Sequence, residues 1–263
     1  MGALAVVLKR DRAIVGAGVV LVTALAWWYT VAAARQMDGA MMAMGHPDQS
    51  RWSSASLLPL FIMWVVMMVA MMLPSATPMI LTFAAVARNR RERQQPYVPV
   101  SVFIAGYLAI WAGFSVLAAV VQWFLHGAAL LSPMMGNSSA LLGGMLLLAA
   151  GIFQFTPLKR SCLTRCRAPL EFITAHWREG GAGAFVMGME HGLFCLGCCW
   201  ALMALLFVLG VMNLLWIAIL TILVGLEKIL PQRRYLSRGA GVWLVFWGLW
   251  VLGDAWVSHL GGR

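Results

Sequence analysis

Charge is scarce in this chain. Only 11% of its 263 residues are charged, and Asp and Glu together number nine. A soluble domain carries about 25% charged residues, so there is too little polar sequence here for a separate soluble domain. Internal repeats and low-complexity tails are absent. No Gly-x4-Gly-Lys-Ser/Thr motif occurs, which disfavours a nucleotide-driven pump on this chain alone. No Cys-x-x-Cys-His occurs either, and covalent haem is excluded with it. The five cysteines are an odd number. Two are expected in a basic loop and three in a span, which argues against a secreted disulfide scaffold.

What is present is hydrocarbon: 62% of residues are hydrophobic and the mean hydropathy is +0.85. The expectation is an all-α, polytopic transmembrane bundle, one integral membrane domain over 1–263. A crossing needs about 20 apolar residues. Candidate spans are 13–34, 57–87, 98–125, 137–157, 182–210, 213–230 and 239–259. The second is too long for one straight crossing, and Pro74 and Pro78 are expected to kink or break it, freeing carbonyls that need partners. The first ends like a signal peptide, but its apolar run exceeds the roughly 7–15 residues of such a segment and predicts a retained anchor.

The net charge of +10 points to basic loops against anionic lipid rather than to nucleic acid. With the N-terminus inside, the positive-inside rule puts every basic residue except Arg35, Arg51 and Arg263 on the cytoplasmic side. That partition predicts seven spans, N-terminus cytoplasmic and C-terminus outside. The thirteen Trp suit interfacial anchoring.

The segment Met187-Gly-Met-Glu-His-Gly-Leu-Phe-Cys-Leu-Gly-Cys-Cys-Trp200 stands out. It places one acid, one histidine and three cysteines inside a predicted span, where ligand-capable groups are costly and mark function. At about 100° per residue, with His191 at zero, Cys195 lies near +40°, Cys198 near −20° and Met187 near −40°. Cys199, near +80°, sits at the edge of that face, and Glu190 points to a different neighbour. Such soft ligands suit monovalent copper, with zinc second. Gly188, Gly192 and Gly197 admit a close neighbouring helix. The competing reading is a packing face, since Cys is also a small buried hydrophobe.

Methionines form a second group. Met63, Met67, Met68, Met71 and Met72 crowd the second span, and Met41, Met42 and Met44 precede His46 in a predicted outer loop. Thioethers bind monovalent copper and persist where thiols oxidise, though Met also serves as adaptable filler. His126 and His259 are expected at the outer interface. On the cytoplasmic side, Cys162 and Cys166 lie amid Lys159, Arg160, Arg165 and Arg167. Their spacing is one residue longer than a redox Cys-x-x-Cys, and if the segment is helical both thiols share a face. Glu227 and Asp254 are further intramembrane acids. Glu227 is expected to pair with Lys228 or a basic loop, or to serve a proton or cation path, while Lys228 is expected to snorkel.

The strings MWVVMMVAMMLPSATPM, GIFQFTPLKRSCLTRCRAPL, MGMEHGLFCLGCCWALMALLF, MNLLWIAIL and EKILP, from about Met63 to Pro231, resemble an uncharacterised family of predicted metal-binding integral membrane proteins. The resemblance implies a bacterial inner-membrane protein with no assigned reaction. It carries Met67, Met68, Met71, Met72, Cys162, Cys166, His191, Cys195, Cys198, Cys199 and Glu227. The MMAMGH loop lies outside it.

Three functions compete. The first is a copper-handling protein whose ligands change along a path from outer Met and His, through spans two and five, to the inner Cys pair. Graded, exchangeable sites let an ion enter and leave. The partners are then the bilayer, the metal ion and a membrane or extracytoplasmic protein. The second is a thiol or haem redox protein, disfavoured because only His126 and His259 suit bis-His haem and adjacent Cys198 and Cys199 make a poor disulfide. The third is a metal-free assembly subunit.

Overall fold

The computed structural model describes residues 2–44, 56–94, 98–127, 140–230 and 233–261. All regular structure among them is helical: α1 (Gly2–Met44), α2 (Leu57–Glu92), α3 (Val100–Gly127), α4 (Ala140–Phe153), α5 (Pro157–Arg167), α6 (Pro169–Ala175), α7 (Gly180–Ala204), α8 (Leu206–Leu209), α9 (Leu214–Ile229) and α10 (Arg233–Gly261). The all-α expectation holds. Among the described residues, five helical stretches are long and apolar enough to cross a bilayer, or six if α4 and α5, bent by 62°, count as one broken span.

The expected count of seven is not confirmed. At about 1.5 Å per residue, α4 rises about 21 Å and α9 about 24 Å, short of a hydrocarbon core of about 30 Å. Local chemistry sets these limits. Thr156 caps α5, accepting from the Lys159 N–H at 3.3 Å, and Pro157 follows at the first helical position. Asn213 caps α9 through the N–H groups of Leu215 and Trp216. The chain turns ahead of α9 at Gly210, whose φ of +95° suits glycine.

Of the two outcomes expected at Pro74 and Pro78, a kink or a break, the break does not occur: α2 runs through both. Pro74 has no N–H for the Ala70 carbonyl. The Trp27 indole of α1 supplies that bond instead, at 3.1 Å, so the freed acceptor is satisfied without a break. The segment of Met37, Met41, Met42 and Met44 is not a loop: the backbone of α1 stays helical to Met44.

Two glycine-lined pairs organise the bundle. α3 and α7 run parallel and touch backbone to backbone: a side chain at Gly188 would collide with the Phe103 carbonyl, and one at Gly106 with that of Phe185. α4 and α10 run antiparallel through Gly144, Gly151, Gly241 and Gly248. α2 lies antiparallel to α3, with the Trp64 indole donating to Gln122 at 2.6 Å and the Phe83 ring stacked on Phe103 at 4.6 Å. At the basic end of the bundle, Arg90 of α2 bonds Glu179 at 2.8 Å and lies over the Trp177 ring.

Candidate metal centre

The α7 segment that stood out in the sequence is the buried centre of the bundle. Met187 and Cys195 are wholly buried, and His191, Cys198 and Cys199 nearly so. Glu190 points elsewhere, pairing with Arg178 at 2.8 Å, as the helical phase required.

α2 and α7 touch at this level. The Cys199 thiol approaches the Met72 sulfur at 3.9 Å, and toward the opposite end of α2 Trp64 packs on Phe207 of α8 with centroids 5.2 Å apart. Met63, Met67, Met68 and Met71 line the same buried stretch of α2. Tyr107 of α3 ties the group together. Its hydroxyl donates to the Met72 carbonyl at 3.1 Å and lies 3.1 Å from the Cys195 sulfur.

Cys162 and Cys166 do not lie in a loop. They share a face of α5, whose bend from α4 turns it onto α7. Cys162 sits against Gly197, where an added Cβ would meet its sulfur at 2.8 Å. The thiol of Cys166 interacts with that of Cys198. All five cysteines are free thiols gathered around one stretch of α7. Gly197 is the reason α5 can come so close.

Lys228 was missed by sequence reasoning. It does not snorkel away. Half-buried, it turns inward and donates to Ser75 at 2.7 Å and to the Cys195 sulfur at 3.0 Å. Glu227, about 100° around α9, faces the other way. It takes a buried ion pair from Lys159 at 2.8 Å and a bond from Ser237 at 2.7 Å. Of the two pairings expected for Glu227, the basic segment is the one formed, and Lys228 takes no part. Tyr107 and Ser75 were also missed, although a tyrosine is rare in this chain, with four in all. Cys195 to Cys198 is itself a Cys-x-x-Cys, a spacing visible in the sequence.

Asp254 is exposed on α10, near the start of α4. His46 and the side chains of Met41, Met42, Met44, His126 and His259 lie outside the described residues.

The donor chemistry fits a soft monovalent cation. The cluster offers thiols and a thioether, and the buried Nδ1 of His191 has no hydrogen-bond partner. Its ring is held by stacking on Tyr107 and Phe103, with centroids at 5.6 and 6.2 Å. Among the described residues, no three His, Cys, Asp or Glu side chains stand in metal-ligating geometry. Cys198 and Cys199 both donate to the Cys195 carbonyl, at 3.0 and 2.9 Å, so these thiols must rotate about χ1 to converge on an ion.

The family model for PpoB2, a copper chaperone, matches residues 61–251. The chain belongs to the PpoB2 copper chaperone family. The matched range takes in all five cysteines and the methionines of α2. Neither the curated proteins nor the solved structures gave a match.

Proposed function

We propose that this membrane protein of the PpoB2 family carries monovalent copper as cargo at the cluster of Cys195, Cys198, Cys199 and Met72, with His191 and Met187 on the same helix. The observation that supports this best is the 3.9 Å approach of Cys199 to Met72. It joins the methionine helix to the cysteine helix in the interior, where a thioether and thiols together suit copper rather than zinc. Met63, Met67, Met68 and Met71 form the approach, and Cys162 and Cys166 the exit. The acceptor is another membrane or extracytoplasmic protein. In this reading the protein sits in a bacterial inner membrane with its basic end cytoplasmic, as the positive-inside rule requires.

Lys228 fits the same reading. A buried or half-buried ammonium beside sulfur offsets thiolate charge while no metal is there, and an arriving copper ion takes its place. Ser75 remains as the alternative acceptor for the ammonium.

The test is elemental analysis of protein purified from copper-replete cells, wild type against Cys195→Ser/Cys198→Ser. Near-stoichiometric copper in the wild type and its loss in the double variant is the expected result. A metal-free wild type sinks the proposal. In that event a Cys166–Cys198 disulfide, found by mass spectrometry, would support the thiol-redox reading. Copper retained by the double variant would shift the site to the methionines.

A further inference from the structure

The α4–α5 bend builds a second polar site that copper handling does not use. Gln154, Lys159, Arg160, Leu163, Arg234, Ser237 and Arg238 line a cleft of about 30 Å³ between α5 and α10. Its charges are unbalanced. Lys159 is neutralised by Glu227 behind it, and the cleft lining itself holds no acid. Arg234 and Arg238, one turn apart on α10, and Arg160 are exposed. Arg160 commits one N–H to the Phe155 carbonyl at 2.9 Å and keeps the rest.

A buried donor points the same way. Gln154 is 2% exposed, yet its Nε2 has no hydrogen-bond partner. The amide cannot be turned to remove the problem. Lys159 Nζ bonds Gln154 Oε1, and a lysine has only donors, so the oxygen must face it and the NH₂ must face away. The cleft therefore presents donors that lack an acceptor. That demands a ligand rich in acceptors and negative charge, as a phosphate is.

From these donors and their place, the geometry points to a binding site for the phosphate of an anionic phospholipid headgroup at the α5–α10 cleft. A lipid is favoured over a free anion because Phe155, Leu158 and Tyr235, beside the lining residues, expose 36%, 58% and 76% of their surface. An acyl chain would cover such a flank. Basic pockets between membrane helices on the cytoplasmic side take headgroups of this kind. The inference is independent of the copper site, although α5 carries Cys162 and Cys166, and a bound headgroup would brace that helix.

The test titrates the purified full chain in detergent with phosphatidylglycerol, with phosphatidylcholine as neutral lipid and with inorganic phosphate. Bound lipid is read by native mass spectrometry and melting temperature in parallel. Phosphatidylglycerol should bind and raise the melting temperature, and phosphatidylcholine should not. Arg234→Gln/Arg238→Gln should weaken binding by roughly fivefold per arginine. Arg160→Gln should weaken it similarly, and Arg93→Gln, outside the cleft, should leave it unchanged. All four positions are exposed, so lipid-free melting should match the wild type. Equal response to the two lipids, or full binding by the cleft variants, overturns the proposal. Loss of binding in Arg93→Gln to the same degree also overturns it, since the effect would then be general surface charge. A response to inorganic phosphate equal to that of phosphatidylglycerol overturns the lipid assignment.

Discussion

The two glycine-packed pairs use the same device for different ends. In α3–α7 the close approach encloses the proposed copper ligands: the most apolar window of the α7 span is 56% buried. In α4–α10 the window on α10 is 17% buried, and the helix turns Trp243, Phe246 and Trp250 outward. Both are apolar spans with interfacial glycines. What separates them is what stands one turn from each glycine. Beside Gly188, Gly192 and Gly197 are Met, His and Cys, while beside Gly248 are aromatics. Close packing alone therefore says nothing of function in a membrane. The residues it encloses do.

The ion pair between the two regions should be the most sensitive point. Lys159 and Glu227 are 1% and 2% exposed, and with Ser237 they join α5, α9 and α10. Lys159→Met leaves a buried carboxylate with a single hydroxyl partner. We expect a loss of about 3–5 kcal/mol, the usual cost of orphaning a buried charge, read as lower melting temperature in detergent. Lys159→Met/Glu227→Leu should recover most of it. If the single variant melts like the wild type, the pair does not hold the regions together.

Gly188→Val tests the enclosing pair itself. The added side chain meets the Phe103 carbonyl, which belongs to a backbone and cannot swing aside. Overpacking of this kind costs about 1–3 kcal/mol, and it would also separate Tyr107 from Cys195. Gly253→Val, on α10 with nothing within 4 Å, should be near neutral. Equal effects at the two sites would erase the contrast between the pairs.

Much of this was legible in the chain. The shared face of His191, Cys195 and Cys198 follows from helical phase, and the separation of Glu190 follows from the same rotation. The freed carbonyl ahead of Pro74 was also predictable. Its partner was not, because Trp27 arrives from another helix and nothing local encodes that meeting. Cys162 and Cys166 looked like loop residues since their neighbours are basic. Yet Thr156-Pro157 is a helix start, and the bend it imposes is what lays α5 on Gly197. The count of seven spans goes unconfirmed for a related reason: apolar runs measure composition, while caps at Thr156 and Asn213 mark where α5 and α9 start. Lys228 defeated the reading because two adjacent charges on a helix diverge by about 100°, and only packing decides which turns inward.

The smallest effects should come from two tryptophans and sharpen the comparison most. Trp27 is half-buried and gives its N–H to Ala70 across the α1–α2 contact. Trp27→Phe keeps a ring there but strands a carbonyl that Pro74 has already deprived of its helical partner. The cost should be about 1–3 kcal/mol, seen as a lower melting temperature. Trp250 is 67% exposed on α10, a helix long and apolar enough to cross a bilayer. Lipid tails are as apolar as leucine, so Trp250→Leu should shift stability by no more than about 0.5 kcal/mol and leave copper content unchanged. If Trp250→Leu proved the costlier, its aromatic face would be packed against something, and α10 would belong with the enclosed helices rather than the lipid-facing ones.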